Sequence, residues 1–242
     1  SLSLGDEPNC TKQMRDLLAK LTVRLGLYKP IVECINYFKA EVNSRRIQKQ
    51  GIEMLAAVTQ VFEDINVTAF LTYGVLLGAY RDKGFISYDP DIDLGVLYDE
   101  LPTDLHEKMA DAGFQLHHQA YFKESNTVFE ETYIYKKLHL DIFYYFKEGN
   151  DYYSVIARKH EYKEWKEANA TDGFPCDRSY VPICEFEKRD FKGIQIYMPT
   201  DTDGWLRAIY SDSYMTPIKN WNAKDYKTRI IHTTERSHRK TF

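Results

Sequence analysis

No run of apolar residues in this 242-residue chain approaches the ~20 that a membrane-crossing helix requires, so no span is expected. Cysteine is scarce. Cys10, Cys34, Cys176 and Cys184 form no C-x-x-C pair and share no ligand spacing with the histidines, which favours ordinary reduced thiols over a disulfide framework or a zinc site. An excess of positive charge is also missing. The net charge is −4 and the pI about 6.0, which argues against a nucleic-acid binder that relies on bulk electrostatics. No internal repeat and no low-complexity linker divides the chain. The opening SLSLGD has no signal-peptide pattern and does not read as a natural start. Three N-x-S/T sequons, at Asn9, Asn66 and Asn169, point weakly to a secretory-pathway origin. A cytoplasmic location is the expectation, with a Golgi or secretory lumen as the alternative for a eukaryotic protein.

The periodicities that are present place elements along the chain. Met14, Leu17, Leu18, Leu21 and Leu25 recur at helical spacing over residues 11–26, and Ile52, Leu55, Val58 and Phe62 repeat that pattern over 45–65. VTAFLTYG reads as a buried strand ending in glycine, VLLGAYRD as a short helix, and DIDLGVLY as a second strand. A helix over 101–112 closes at Gly113. FQLHHQA, TVFEETYIYKK, LHLDIFYYF and DYYSVIA then alternate as strands. Residues 159–169 suggest a short charged helix. Beyond 172, Pro175, Pro182, Pro199 and Pro217 break the text into an irregular part with a short helix near 203–210, and the last twenty residues are expected to fray. The organisation is an N-terminal helical segment (1–44), a core (45–158) and a C-terminal helical or irregular part of the same domain (159–242). The fold class is α/β (α+β), a mixed sheet flanked by helices.

Chemistry concentrates in YGVLLGAYRDKGFISYDPDIDLGV, residues 73–96. Asp91 and Asp93 stand two residues apart on a strand and share a face, with backbones about 7 Å apart. Carboxylates at ~4 Å repel by roughly 4 kcal/mol at an effective dielectric of 20, so a proton or a cation must sit between them. Oxygen ligands of this type suit Mg²⁺ or Mn²⁺. Asp89 shares their parity, but Pro90 sets it at the strand entrance, as a cap or an outer ligand. A solvated acidic strand edge is an equally good account of the spacing taken alone. Gly74 and Gly78, at a strand-to-helix turn, let backbone N–H groups approach a phosphate, and Arg81 lies within reach of the same anion. In KLHLDIFYYF, Asp141 is a lone acid on the face it shares with His139, and burial there demands a cation or hydrogen bonds. His139 reads as a satisfied strand histidine.

These residues resemble the signature of the LicD/fukutin family in the polymerase-beta-like nucleotidyltransferase superfamily, which runs roughly G-T-L-L-G-A-x-R-x-x-G-F-I-P-W-D-D-D-I-D. HLDIF and FKGIQIYMPTDTDGWLRAIYSDSYMTP are similar to later family segments, so the likeness spans about residues 50–218. The resemblance implies a nucleotidyltransferase-like fold and a Mg²⁺-dependent (or Mn²⁺-dependent) phosphotransferase. Its donor is a CDP-alcohol and its acceptor a glycan or polysaccharide-precursor hydroxyl. It further implies that Gly74, Gly78 and Arg81 bind the donor's phosphates, that Asp91 and Asp93 hold metal, and that Asp141 is a third ligand or the base. Pro90 replaces the family's second aspartate, Val75 its threonine, Ser87-Tyr88 its Pro-Trp, and Ser211 its late glycine. The other readings are a nucleotidyltransferase using an NTP, a DxD transferase using a nucleotide sugar, and a non-catalytic nucleotide or glycan binder. Lys83, Tyr88 and the SDSYMTP segment are expected on the acceptor side.

Overall fold

The alternating segments after Gly113 do form a sheet, and so does most of the C-terminal third. The computed structural model describes residues 28–158, 165–218 and 229–242, and the helix expected over 11–26 lies outside them. Helix α1 runs Tyr28–Asp64. From residue 43 onward the chain makes one compact unit. In this unit α1 buries Ile47, Met54, Leu55, Val58, Val61 and Phe62, the i, i+3, i+4, i+7 stripe of its sequence.

A tight turn at Asn66 leads into β1 (Ala69–Leu71), all of it buried. Next come α2 (Tyr73–Leu77), a π-helical turn (Gly78–Asp82), β2 (Ile92–Leu97) and α3 (Leu105–Asp111). Strands β3 (Gln115–Phe122), β4 (Val128–Tyr135), β5 (Leu138–Glu148) and β6 (Asp151–Ala157) follow, close to the expected bounds. A short α4 (Trp165–Asn169) precedes β7 (Phe174–Pro182), β8 (Phe186–Phe191), β9 (Ile194–Pro199), α5 (Thr202–Tyr210) and β10 (Ile230–Thr241).

The described strands join in the order β4-β3-β10-β7-β6-β5-β2-β1-β9-β8, and β4 also pairs with β5. Six strands therefore close a hydrogen-bonded ring, and β2, β1, β9 and β8 extend from β5 as an open wing. Ala120, Phe122, Phe129, Val155 and Cys176 of ring strands form their own apolar cluster. The larger core lies under α1, α2 and α5. There Trp205 is fully buried, meets Phe70, Tyr145 and Phe186, and donates its Nε1–H to the Pro182 carbonyl at 2.9 Å.

Among the described residues beyond 172, the irregular part expected from the prolines is thus four strands and a helix. Pro175 lies where the β7–β10 register shifts, and Pro182 and Pro199 end their strands, so each falls where a missing N–H is tolerated. The tail expected to fray is β10, seated between β7 and β3. Its side chains are mostly polar and partly exposed, so backbone ladders on both edges hold it and no alternation marks it in the sequence.

Candidate active site

Register builds the site. Strands β2 and β5 run parallel, with Asp93 directly opposite Asp141, and β4 runs antiparallel to β5, with Thr132 opposite Asp141. His118 of β3 faces Thr132 in turn. Directly paired residues project from the same face, so His118, Thr132, Asp141 and Asp93 form one row. A second row holds Arg239, Ala120, Glu130 and Phe143. Leu138, Leu140 and Ile142 are buried on the opposite face of β5, which confirms the parity read for His139 and Asp141.

The turn that precedes β2 brings in the remaining acids. Gln48 of α1 donates to the Phe85 and Ile86 carbonyls at 3.2 and 3.3 Å and so anchors this loop. Asp89 folds back on α2: a Cβ at Gly74 would lie 1.9 Å from its Oδ2. Tyr73 sits at φ 44°, a left-handed conformation unusual for a bulky residue. It is held there by a 2.6 Å hydrogen bond between its hydroxyl and that of Ser154, and by edge-on packing against Phe143.

Crowding raises the proton affinity of every acid in the set. Burial, then repulsion by Asp91, pushes Asp89 up to about 8, and the two carboxyls hydrogen-bond to each other. Burial also raises Asp91, although the Asp89 contact and His139 oppose it. Asp93 is pushed well up by burial and by Asp91, Asp89 and Asp141, with the Gly74 N–H pulling the other way. Asp141 is pushed well up by burial, Glu130 and Asp91, against the hydrogen bond that Thr132 donates to its Oδ1. His118 bonds the same threonine oxygen at 2.7 Å, and burial first, then Arg239, holds its ring down at about 3, so it is neutral. Because the threonine hydroxyl donates to Asp141, His118 donates to the threonine through Nε2.

The acids line a cavity of about 590 Å³ whose other walls include Tyr73, Tyr88, Phe143, Trp165, Tyr210 and Tyr214. A smaller, polar cavity of about 190 Å³ adjoins it. Pro90, Asp91, Glu130, Asp141 and Arg239 are common to both, while His118, Thr132 and His139 line only the smaller. As placed, no three His, Cys, Asp or Glu side chains among the described residues converge as a ligand set. The fit to a divalent cation rests on the donor chemistry, a group of carboxylate oxygens whose mutual repulsion such a cation relieves.

The expected phosphate ligands are placed differently. Gly74 lines the cavity, but its N–H turns to Asp93. Gly78 is absent from the cavity wall. Its N–H joins the helix at the Gly74 and Val75 carbonyls, and its missing Cβ makes room for the Gly84 carbonyl, 2.4 Å from where that atom would lie. Arg81 borders the cavity with its donors engaged: Nε and Nη2 on Asp82 at 2.7 and 2.8 Å, Nη1 on the Tyr214 carbonyl at 3.1 Å. Tyr88, Ser213, Tyr214 and Thr216 line the cavity, whereas Lys83 turns its ammonium to the Tyr80 carbonyl.

Residues 66–201, more than half of the chain, match the family model described as LicD/FKTN/FKRP, nucleotidyltransferase domain. The chain belongs to the LicD/fukutin family. Its relatives include the ribitol-5-phosphate transferase FKTN of Mus musculus, 27% identical over 184 residues that make up 76% of this chain and 37% of the relative. The Homo sapiens FKTN is 25% identical over the same shares. An uncharacterized Rickettsia prowazekii protein is 30% identical over 149 residues, 61% of this chain and 48% of the relative. The chain spans less than half the length of these curated relatives.

In this family member the motif acids predicted from sequence, Asp91, Asp93 and Asp141, stand on one wall, joined by Asp89. Glu130, Thr132, His118, Trp165 and Arg239 were not predicted. Glu130 and Thr132 were legible as same-face polar residues of one strand, flanked by apolar Phe129 and Tyr133. Arg239 had no such signal, because it sits in a uniformly polar tail.

Proposed function

We propose that this LicD/fukutin family member is a Mg²⁺-dependent phosphotransferase that moves a phospho-alcohol from a CDP-activated donor to a glycan hydroxyl. The observation that carries this reading is the parallel register that sets Asp93 beside Asp141 at the floor of an aromatic-walled cavity. The naming of its fukutin relatives as ribitol-5-phosphate transferases supports a phospho-alditol donor. Asp91 and Asp93 would hold the cation, with Asp141 as a third oxygen donor or as the base. When bound, the cation neutralises the donor's phosphates and favours the departing nucleotide.

The protein's own groups position the reactants. Thr132, oriented by neutral His118, holds Oδ1 of Asp141 and leaves Oδ2 to accept the proton of the acceptor hydroxyl. A carboxylate whose proton affinity is raised by burial and by Glu130 is a better base than an exposed aspartate. The hydroxyl oxygen bonds to the phosphorus that bears the alcohol as the bond to the CMP oxygen breaks, and CMP leaves with that electron pair. The aromatic walls exclude water and stack on the flat and apolar parts of the donor.

The test is CMP release from CDP-ribitol and CDP-choline, measured by chromatography with Mg²⁺, with EDTA, and with a glycan acceptor or water. Asp93→Asn and Asp141→Asn are expected to lower turnover by about 10²-fold or more while the protein stays folded. Release of pyrophosphate from an NTP, or of a nucleoside diphosphate from a nucleotide sugar, would replace this reading. So would wild-type protein that binds CDP and turns over no donor.

A further inference from the structure

A donor carrying two phosphates must enter a cavity floored by Asp89, Asp91, Asp93, Asp141 and Glu130, so the wall needs a cation with free donors. Arg81 does not supply one, because Asp82 and the Tyr214 carbonyl engage its guanidinium and its side chain is only 6% exposed. The Gly74 and Gly78 N–H groups are engaged within the protein. Arg239 borders both cavities, at the wall they share. Its guanidinium makes no hydrogen bond and no ion pair among the described residues, and its Nε is buried without a partner. An unpaired buried donor is unfavourable, more so when charged, so an arriving anion meets a group that gains by binding it.

The surroundings hold this guanidinium in readiness. Arg239 stacks over Trp165, with 4.6 Å from its Cζ to the ring centroid. Its backbone is clamped by Asn169, which accepts from the Arg239 N–H at 3.0 Å and donates to the Arg239 carbonyl. Trp165 and Asn169 both belong to α4, so one short helix pins the backbone and the side chain together. Within its row Arg239 is separated from Glu130 by Ala120. The small residue leaves space for the guanidinium to lie over the sheet toward the acids without closing an ion pair on them. Arg239 forms no ion pair with Glu130 or Asp141, although both acids act on its charge through space.

We propose that Arg239, braced on Trp165, is the phosphate-binding cation of this site and engages a phosphate oxygen of the nucleotide-linked donor. The inference rests on the phosphotransfer reading for the identity of that donor, and on the structure alone for the anion site. Arginine suits the task because its planar fork matches two phosphate oxygens.

The experiment is calorimetric titration of pyrophosphate, CDP and cytidine, each with and without Mg²⁺, into wild-type, Arg239→Gln and Arg239→Lys proteins. Arg239→Gln is expected to weaken pyrophosphate and CDP by about 10- to 100-fold and to leave cytidine unchanged. Arg239→Lys should fall between, with charge but no fork. Unchanged CDP affinity in Arg239→Gln overturns the proposal and leaves the CDP-donor reading standing. Arg239-dependent pyrophosphate binding with no preference for CDP supports the anion site and removes the CDP-donor reading. Wild-type protein that binds neither phosphate ligand overturns the anion site. Should Arg239→Gln fail to fold, the arginine Nε–H resonance missing from the ¹⁵N spectrum of Arg239→Lys identifies Arg239 in the wild type. Pyrophosphate must shift that resonance, and an unmoved resonance overturns the proposal.

Discussion

Gly74→Ala tests how the acidic loop is packed on the turn that carries it. The new Cβ would lie 1.9 Å from Asp89 Oδ2 and 3.0 Å from its Cγ. Carbon–oxygen contacts normally begin at about 3.3 Å, so the oxygen must retreat by roughly 1.4 Å. Pro90 limits the backbone on one side, and the hydrogen bond to Asp91 restrains the carboxyl on the other. Overpacking of this kind costs about 1–3 kcal/mol. The helix preference of alanine over glycine returns at most about 1 kcal/mol. With the full helix gain a net loss of up to about 2 kcal/mol follows, worth about 2–4 °C of melting temperature per kcal/mol in a unit of this size. Gly84→Ala is the control: the nearest atom to its added Cβ is the Asp82 carbonyl oxygen at 3.9 Å, and its effect should stay within about 0.5 kcal/mol. Urea denaturation of Gly74→Ala, Asp89→Ala and the double variant, all in EDTA, completes the cycle. The glycine substitution should cost at least about 1 kcal/mol less once Asp89 is truncated. Strict additivity would refute the close contact.

Two further outcomes probe the scaffold. Glu131 is 1% exposed and accepts from His106 and Gln119 at 2.7 and 2.5 Å and from Tyr133 at 2.7 Å. Burial pushes its carboxyl up, but the hydrogen bonds from His106, Gln119 and the Tyr144 hydroxyl, with the His106 charge, hold it below the ordinary value of 4.5. A depressed carboxylate stabilises the fold above its unfolded value and loses that contribution as pH falls through the folded one. Glu131→Gln should therefore cost about 2 kcal/mol at pH 7, with the gap to wild type closing below about pH 4; a gap constant from pH 7 to 3 in urea titrations would contradict this account. Trp205→Ala empties the aromatic centre of the main core and orphans the Pro182 carbonyl, at about 4 kcal/mol by chemical denaturation; a loss below about 1 kcal/mol would show that α5 does not hold the wing strands.

Local pattern carried much of this fold. The apolar stripe of α1 from residue 43, the parity that joins His139 to Asp141, and the bounds of β3 to β6 follow from periods of 3.6 and 2 within single segments. The acidic motif was legible for the same reason: carboxylates two apart beside an apolar strand are costly anywhere, and their cost is visible in sequence. The glycines were legible as positions that need close approach, but not as to what approaches. For Gly74 it is Asp89, and for Gly78 the Gly84 carbonyl.

What tertiary structure alone decided depends on pairings between distant segments, which no local period encodes. The β4–β5 pairing closes the ring, and the seating of β10 between β3 and β7 turns a polar tail into a strand. That seating sets Arg239 in the row of Glu130 and beside Trp165. The partners of Arg81 were equally hidden, since the Tyr214 carbonyl reaches it only after α5 has packed under the sheet. The sequence by itself set Asp89, Asp91 and Asp93 together, because their mutual repulsion is intrinsic to the motif, whereas Glu130 joins them only through the β4–β5 register. Which cation faces them was decided by strand register, since backbone ladders set that register with little regard to the side chains they carry.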